Sequence, residues 1–263
     1  YDRVMNSTLR AKVRGTLKAI RSHHTVESAR SHYASVFPAY TVLEWATGGC
    51  LDTMAAAFAG FRHLGGTEEV GKALGQAKAR MFESLTQAKC YGDARSWREW
   101  IGSIVQPIDY FKAGTPCIDY ASLGSKRGSK GNRGGDLFME VVNFILAFNP
   151  KISPKIVRLE MVPNALKVND GYEVKWVCQG LGKRYHVTSS VIPCWEHGDV
   201  SSRERIIIIG LRRDLFTEGE WKWPSPIFGS KLYPIAHDIS VPDADVPADY
   251  WHHDVVQTDA KVY

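Results

Sequence analysis

Residues 108–124 read IDYFKAGTPCIDYASLG and join a strand-like segment to a turn that carries a cysteine. Residues 108–114 are rich in aromatic and aliphatic side chains and end at a glycine, as a buried strand commonly does. Cys117 follows Pro116 directly, and the cysteine nearest to it in the sequence is Cys90. This stretch therefore predicts a strand that delivers a single thiol to the edge of a sheet.

Strand-like and helical segments alternate on both sides of this stretch. The strand-like segments are residues 40–46, 61–69, 88–94, 108–114, 155–161, 172–179, 185–192 and 205–211. Helices are predicted over residues 70–84 and 97–104. Two further helices are predicted from apolar residues at helical spacing, the first set being Leu51, Met54, Ala55 and Phe58 and the second Leu137, Val141, Val142, Ile145 and Leu146. The alternation predicts an α/β fold: a Rossmann-like, mostly parallel sheet with helices on both faces and ligands at the carboxyl ends of its strands.

The composition restricts the class of protein. The chain has 263 residues, of which 44% are hydrophobic and 23% are charged, enough for one substantial domain with appendages. Its five cysteines are scattered and form no CxxC pair, which argues against a disulfide framework and against a metal site. We therefore expect an intracellular, reducing compartment: the nucleus in a eukaryote or the cytoplasm in a bacterium. The longest apolar run, RIIIIGL at 205–211, is too short to cross a membrane, and the net charge of +5 permits a polyanionic partner.

Polar residues and glycines follow successive predicted strands. Gly48 and Gly49 follow the first strand, Glu68 the second and Asp93 the third, and Cys117 follows the fourth. A glycine turn lets the backbone approach a ligand, an acidic residue after the second strand can accept ribose hydroxyls, and an aspartate after the third can hold an adenine amino group. Together they predict a nucleoside cofactor along this edge, with the thiol beside it.

Each of these residues also has a purely structural interpretation. Glu68 and Glu69 can be solvated charges, Asp93 can cap the helical segment that begins at Arg95, and Cys117 can be a small buried apolar residue. Their order along the chain favours the functional interpretation.

Residues 114–124 resemble the catalytic loop of the DNA (cytosine-5)-methyltransferase family, which reads roughly G-x-P-C-Q-x-F-S-x-x-G. The positions in register are Gly114, Pro116, Cys117, Tyr120 and Gly124. Further on, LEMVP at 159–163 places Glu160 at the family's Glu-Asn-Val signature, and GYEV at 171–174 matches its Gly-Tyr-x-Val. GDVSSRERIIIIG at 198–210 aligns Arg203 and Arg205 with its Arg-x-Arg.

The resemblance implies methyl transfer from S-adenosylmethionine to carbon 5 of a flipped cytosine in DNA. Its implied catalytic residues are Cys117 as nucleophile, Glu160 at ring nitrogen 3, and Arg203 and Arg205 at the base's carbonyl oxygen. The implied cofactor-binding residues are Glu44, Thr47, Gly48, Gly49, Cys50, Glu68, Asp93 and Pro116. In the glycine-rich loop after the cysteine, four cations are expected to bind phosphates while the loop closes over the base: Lys126, Arg127, Lys130 and Arg133.

The resemblance also suggests three regions. Residues 1–38 form an N-terminal helical extension, residues 39–216 the methyltransferase catalytic domain, and residues 217–263 an irregular segment leading toward a target-recognition region. That region is expected in a separate or permuted domain or in a partner subunit.

Several departures from the family pattern keep alternatives open. Ile118 replaces the usual Gln, Met161 the usual Asn, Ser201 another Gln, and Ala46 stands where an aromatic ring would touch the adenine. One alternative is an enzyme of the same chemistry that acts on RNA instead of DNA. The other is a degenerate methyltransferase fold that only binds or regulates.

Overall fold

The computed structural model describes residues 40–122, 124, 126–131, 134–197 and 203–226. The strands there are β1 (Thr41–Trp45), β2 (Arg62–Gly66), β3 (Tyr110–Gly114), β4 (Ile156–Met161), β5 (Tyr185–Pro193) and β6 (Glu204–Arg212). The α-helices are α1 (Leu51–Phe58), α2 (Ala73–Thr86), α3 (Trp97–Trp100), α4 (Leu137–Ala147) and α5 (Tyr172–Gly182).

The strands form a six-stranded sheet in the order β2-β1-β3-β4-β6-β5. The pairs β1–β2, β1–β3 and β3–β4 are parallel, whereas β6 runs antiparallel to both β4 and β5. Five strands therefore share one direction and β6 alone is reversed. The prediction of a mostly parallel α/β sheet is confirmed, and six of the eight predicted strands are observed.

Successive residues of a strand point to opposite faces, so the two faces of this sheet have different partners. Trp45 packs its ring 4.5 Å from that of Phe144 on α4. The neighbouring Glu44 accepts a hydrogen bond from Thr53 on α1 at 2.9 Å. Helices α4 and α1 thus cover opposite faces, as predicted, and the largest hydrophobic cluster lies on the α4 face.

The segment 88–94 was predicted as a third strand, but only Cys90 makes a ladder pair, a parallel bridge to Gly66. Gly92 then takes a φ of +80°, and Asp93 begins a 3₁₀ turn, which ends the pairing. The prediction of a strand here was wrong, although the segment does lie beside the end of β2.

The segment 172–179 was predicted as a strand and is the first part of helix α5. The alternating Tyr172, Val174 and Trp176 imitate a strand pattern, yet the side chains that are buried include Val174, Val177 and Leu181. Their spacing of three and four residues is that of a helix packed on one face.

The predicted face of α1 was also wrong. Leu51 is 80% exposed and Ala55 is exposed, whereas Thr53, Ala56 and Ala57 are buried. Thr53, on the buried face, donates a hydrogen bond to Glu44 on β1 at 3.0 Å.

Of the predicted terminal regions, residues 1–38 and 227–263 lie outside the described part of the chain. Residues 217–226, which are described, contain turns and extended chain without a helix or strand. No helix in the described part is long and apolar enough to cross a membrane.

Candidate active site

The cysteine loop begins where β3 ends, at Gly114. Cys117 is partly buried, and its carbonyl oxygen accepts backbone bonds from Tyr120 at 2.9 Å and Ala121 at 2.8 Å, which close a turn directly after the cysteine. The Tyr120 hydroxyl is buried and donates to the carbonyl of Gly135 at 2.9 Å. The loop is thus held at both ends, so the thiol has a defined position at the strand edge.

Two buried carboxylates bind the backbone of the segment that follows the cysteine. Asp119 Oδ2 accepts the backbone N–H of Gly135 at 3.1 Å, and Glu173 on α5 accepts the N–H of Ser129 at 3.2 Å. The sequence predicts that the loop glycines permit closure over a base. In the structure a Cβ on Gly131 would overlap the Asp119 carboxyl, so this glycine allows close packing. Gly134 likewise lies against Pro116, at a φ of +95°.

A second group of predicted catalytic residues spans strands β4 and β6. Glu160 Oε1 accepts a bond from Arg205 Nε at 2.6 Å and a longer one from Arg203 Nη2 at 3.3 Å. Antiparallel pairing of Glu160 with Ile207 brings Arg205 alongside the carboxylate. The structure therefore assembles three of the four predicted catalytic residues into one cluster.

This cluster adjoins the cysteine strand through the sheet. Gly114, the last residue of β3, pairs with Glu160 on β4, and a Cβ there would lie 3.5 Å from Glu160 Oε2. Cys117 is three residues further along the chain, within about 11 Å of Gly114 at full extension. The thiol and the carboxylate therefore belong to neighbouring strand ends.

At the β1 end, the turn after the strand is bound to the end of β2. Gly48 N–H donates to Glu68 Oε2 at 2.8 Å, and Thr47 Oγ1 donates to the same oxygen at 3.4 Å. Lys78 on α2 lies 3.6 Å from the other oxygen of Glu68. The predicted glycine turn and the predicted acid are thus in direct contact.

The remaining cofactor candidates have structural partners. Asp93 caps a 3₁₀ turn by accepting the N–H of Arg95 at 2.8 Å, which is the alternative that the sequence left open. Cys50 is fully buried at the start of α1, and burial raises the pKa of its thiol. Its backbone N–H donates to the carbonyl of Thr47 in the turn at 2.9 Å.

Glu44 is buried with a cation that the sequence analysis missed. Lys112 Nζ on β3 lies 3.1 Å from Glu44 Oε1, and both side chains are 3% exposed. Burial lowers the pKa of Lys112, although Glu44 opposes that effect. The signal was available, because a lysine inside a predicted buried strand needs an anionic partner.

A groove of about 1060 Å³ crosses the α1 face of the sheet and connects these groups. The predicted site residues in its lining are Glu44, Thr47, Gly48, Gly49, Glu160, Arg203 and Arg205. Its lining does not include the predicted residues Cys50, Glu68, Asp93, Pro116 and Cys117. The groove therefore joins the glycine turn to the Glu160 cluster and not directly to the thiol.

Carboxylates in the groove are paired with cations. The pairs and their N–O distances are Glu44–Lys112 at 3.1 Å, Asp52–Arg158 at 2.8 Å, Asp109–Lys155 at 2.6 Å and Glu160–Arg205 at 2.6 Å. Burial opposes ionisation of Asp52, but Arg158 outweighs it and lowers the pKa of the Asp52 carboxyl. The lining thus offers polar groups whose charges largely cancel.

The predicted phosphate-binding residues Lys126, Arg127 and Lys130 are exposed in the turn that follows the cysteine. Arg133 lies outside the described residues. Asn164, which sequence reasoning missed, donates to the carbonyl of Tyr120 at 2.6 Å and ties the end of β4 to the cysteine loop. Asn164 lies in the 3₁₀ turn Pro163–Leu166 after β4, and no local pattern in the sequence marked it.

The fold is that of Rossmann-like methyltransferases. The methyltransferase EhMeth of Entamoeba histolytica superposes with a TM-score of 0.52 over 72% of this chain and 57% of that chain. The two sequences are 12% identical, so this similarity concerns the fold alone.

The sequence match is more specific than the fold. The model of the family described as C-5 cytosine-specific DNA methylase matches residues 55–260, and the chain belongs to this family. It is 28% identical to the type II methyltransferase M.Bsp6I of Bacillus sp. (strain RFL6) over 126 residues, 47% of this chain and 39% of the relative. It is 26% identical to M.BbvI of Brevibacillus brevis over 166 residues, 62% of this chain and 41% of that one. The matches thus span about two fifths of these relatives.

Proposed function

We propose that the protein transfers a methyl group from S-adenosylmethionine to carbon 5 of cytosine in DNA through a covalent adduct of Cys117. The observation that carries this proposal is the meeting of neighbouring strand ends. The loop of the thiol leaves β3 beside the Glu160 carboxylate, which Arg205 holds at 2.6 Å. Family membership supports the choice of base and ring position.

The thiolate of Cys117 adds to ring carbon 6, and the electron pair of the 5,6 double bond moves to carbon 5. The cofactor, when bound, supplies an electrophilic methyl group to that carbon. A base then removes the proton from carbon 5, the double bond re-forms, and the thiolate leaves. Glu160 meets ring nitrogen 3 as charge develops, and Arg205 orients Glu160 and reaches the carbonyl oxygen of the base.

The residues at the β1 end fit a nucleoside cofactor. A Cβ on Gly49 would meet nothing within 4 Å, so the turn has open space beside its backbone, and Thr47 and Gly48 line the groove. Glu68 would accept ribose hydroxyls with lone pairs not used by Gly48. Asp93, whose side chain is 38% exposed, would meet the adenine, and Pro116 would border it.

DNA is the proposed partner, with the base flipped out of the helix because the thiol cannot reach it inside a duplex. Lys126, Arg127 and Lys130 would bind backbone phosphates. A separate or permuted recognition domain or partner subunit would read the surrounding base pairs.

The test is covalent trapping with 5-fluorocytosine, which blocks the loss of the group at carbon 5 and leaves the adduct intact. The protein, S-adenosylmethionine and labelled duplex DNA should give a band shifted on a denaturing gel. Cys117→Ser should abolish it, whereas the matched control Cys194→Ser, at another partly buried thiol, should retain it.

Other outcomes would replace the proposal. An adduct with transfer RNA but not with DNA would move the chemistry to RNA. An adduct that survives Cys117→Ser would overturn the role of this thiol. No adduct, together with no cofactor binding by calorimetry at millimolar concentration, would indicate a degenerate binding module.

A further inference from the structure

Glu173 is a buried carboxylate with no salt-bridge partner among the described residues. It is the second residue of helix α5, is 1% exposed, and its Oε2 has no hydrogen-bond partner in the described part of the chain. Its Oε1 accepts three bonds: from the N–H of Ser129 at 3.2 Å, from Ser129 Oγ at 3.1 Å, and from Asn169 Nδ2 at 2.7 Å.

Burying such a group lowers the stability of the fold. An unpaired buried charge or an unsatisfied buried acceptor is destabilising, and an apolar side chain of similar size would fill the same space without that cost. What Glu173 supplies instead is a single oxygen that binds the turn Gly128–Lys130. Two of its three hydrogen bonds go to Ser129 in this turn.

The turn is shaped to receive that oxygen. Gly128 has a φ of +56°, and a Cβ there would lie 2.5 Å from Glu173 Oε1. On the other side, Gly128 N–H donates to the carbonyl of Asp119 at 3.0 Å. The turn is therefore fixed between α5 and the cysteine loop, where Asp119 lies two residues after Cys117. Lys130 is an exposed cation of the turn, and the exposed Lys126 and Arg127 precede it directly.

We propose that Glu173 is a positioning residue that holds this turn as a preformed phosphate-binding element beside the nucleophile. It touches neither DNA nor the reacting atoms and acts through Ser129 and Gly128. The inference rests on the proposed function, since the phosphates it prepares for are those of the DNA backbone. Fixing the cations before binding reduces the ordering cost of association.

The measurement is the affinity for a duplex oligonucleotide at several salt concentrations, combined with the rate of adduct formation at saturating DNA. Glu173→Ala should weaken binding about tenfold and reduce the slope of log K against log salt by about one to two, because each lost phosphate contact removes about 0.9. The adduct rate should fall as well. Glu173→Gln should behave as the unaltered protein, because an amide oxygen can accept the same three bonds.

A second variant attacks the same contact from the turn. Gly128→Ala leaves Glu173 intact but forces a Cβ against its oxygen, so it should reproduce the loss of affinity and slope. The matched controls are Glu99→Gln, an exposed glutamate, and Gly102→Ala, where a Cβ meets nothing within 4 Å. Thermal unfolding identifies variants that do not fold. If Glu173→Ala is one of them, the DNA affinity and salt slope of Gly128→Ala and Ser129→Ala test the positioning role instead.

Unchanged affinity and slope in the folded variants would overturn the positioning role. A Glu173→Gln protein as defective as Glu173→Ala would also overturn it, since the geometry of the acceptor would then not be what matters. If the unaltered protein forms no adduct but Glu173→Ala still changes the salt slope, the proposed chemistry fails and this inference stands.

Discussion

Two carboxylates on the same face of the sheet, Glu44 and Glu160, are both paired with cations from a neighbouring strand, yet their surroundings differ. Glu44 and Lys112 join β1 to β3, and each side chain is 3% exposed. Glu160 and Arg205 join β4 to β6, with side chains 21% and 17% exposed, and a second arginine, Arg203, is 51% exposed. Both pairs border the groove, but the first is almost closed to solvent and the second is partly open to it.

The difference separates a pair that supports the sheet from a pair that can meet a ligand. A buried pair is held by mutual attraction after both charges have lost their water, so losing one partner is costly to folding. A partly open pair keeps water and free lone pairs, so its loss costs little stability but changes what the site can bind. Mutations at the two pairs should therefore affect different properties.

The largest effect is expected from Lys112→Met. The change leaves the Glu44 carboxylate buried without its cation and should lower the free energy of unfolding by about 3–5 kcal/mol. Urea unfolding followed by circular dichroism measures it. The double variant Lys112→Met/Glu44→Gln should recover most of the loss, because the amide needs no cation and still accepts from Thr53.

Lys155→Met is the matched control for that experiment. Lys155 pairs with Asp109 at 2.6 Å on the same groove, but its side chain is 43% exposed. Its removal should cost less than about 1 kcal/mol. Equal losses in the two lysine variants would show that burial does not distinguish these pairs.

A smaller effect, on catalysis and not on stability, is expected at the open pair. Arg205→Ala removes a charge-assisted bond to Glu160 that is worth about 1.5–3 kcal/mol and should slow adduct formation roughly ten- to hundredfold. Arg203→Ala removes a longer, more exposed contact and should slow it less than about fivefold. Rapid quench with 5-fluorocytosine DNA gives both rates.

The pH profile of the rate shows how Arg205 acts. If Arg205 works by orienting Glu160, Arg205→Lys should restore part of the rate and the profile should keep its shape. Identical rates for Arg203→Ala and Arg205→Ala would contradict the larger contribution expected from the shorter, less exposed contact of Arg205.

Most strands of this sheet could be predicted from the sequence because each is a short run of apolar residues that is recognisable without knowledge of its neighbours. The aliphatic run at 205–211 and the aromatic run before Gly114 became β6 and β3. The segment 172–179 failed because its alternating Tyr172, Val174 and Trp176 satisfy a strand pattern, while the helix is selected by packing of Val177 and Leu181 that only the tertiary structure supplies.

Within the site, the sequence likewise predicted which residues belong to it but not which residues they contact. The motifs identified Glu160, Arg203 and Arg205. They did not predict which cation each carboxylate would pair with: Arg158 pairs with Asp52, and Arg205 pairs with Glu160. Glu173 could not be found in this way, because its role depends on a turn 44 residues earlier in the chain. Long-range contacts of this kind have no local signal.

The smallest effect is expected at the β1 end, at a carboxylate that lies outside the groove, contacts the glycine turn and has Lys78 3.6 Å away. Glu68 already accepts Gly48 N–H at 2.8 Å, whereas the adjacent Glu69 is exposed. Glu68→Ala should therefore weaken S-adenosylmethionine binding about tenfold, since it removes a proposed bond to the ribose, worth about 1.5 kcal/mol, and loosens the glycine turn. Glu69→Ala, which removes an equal charge one residue away, should change the dissociation constant less than about twofold, because a solvated charge interacts weakly. Isothermal titration calorimetry on both variants makes the comparison, and Glu68→Gln separates charge from hydrogen bonding, since its amide can still accept from Gly48. Equal dissociation constants for the two alanine variants would mean that the cofactor does not lie against the end of β2.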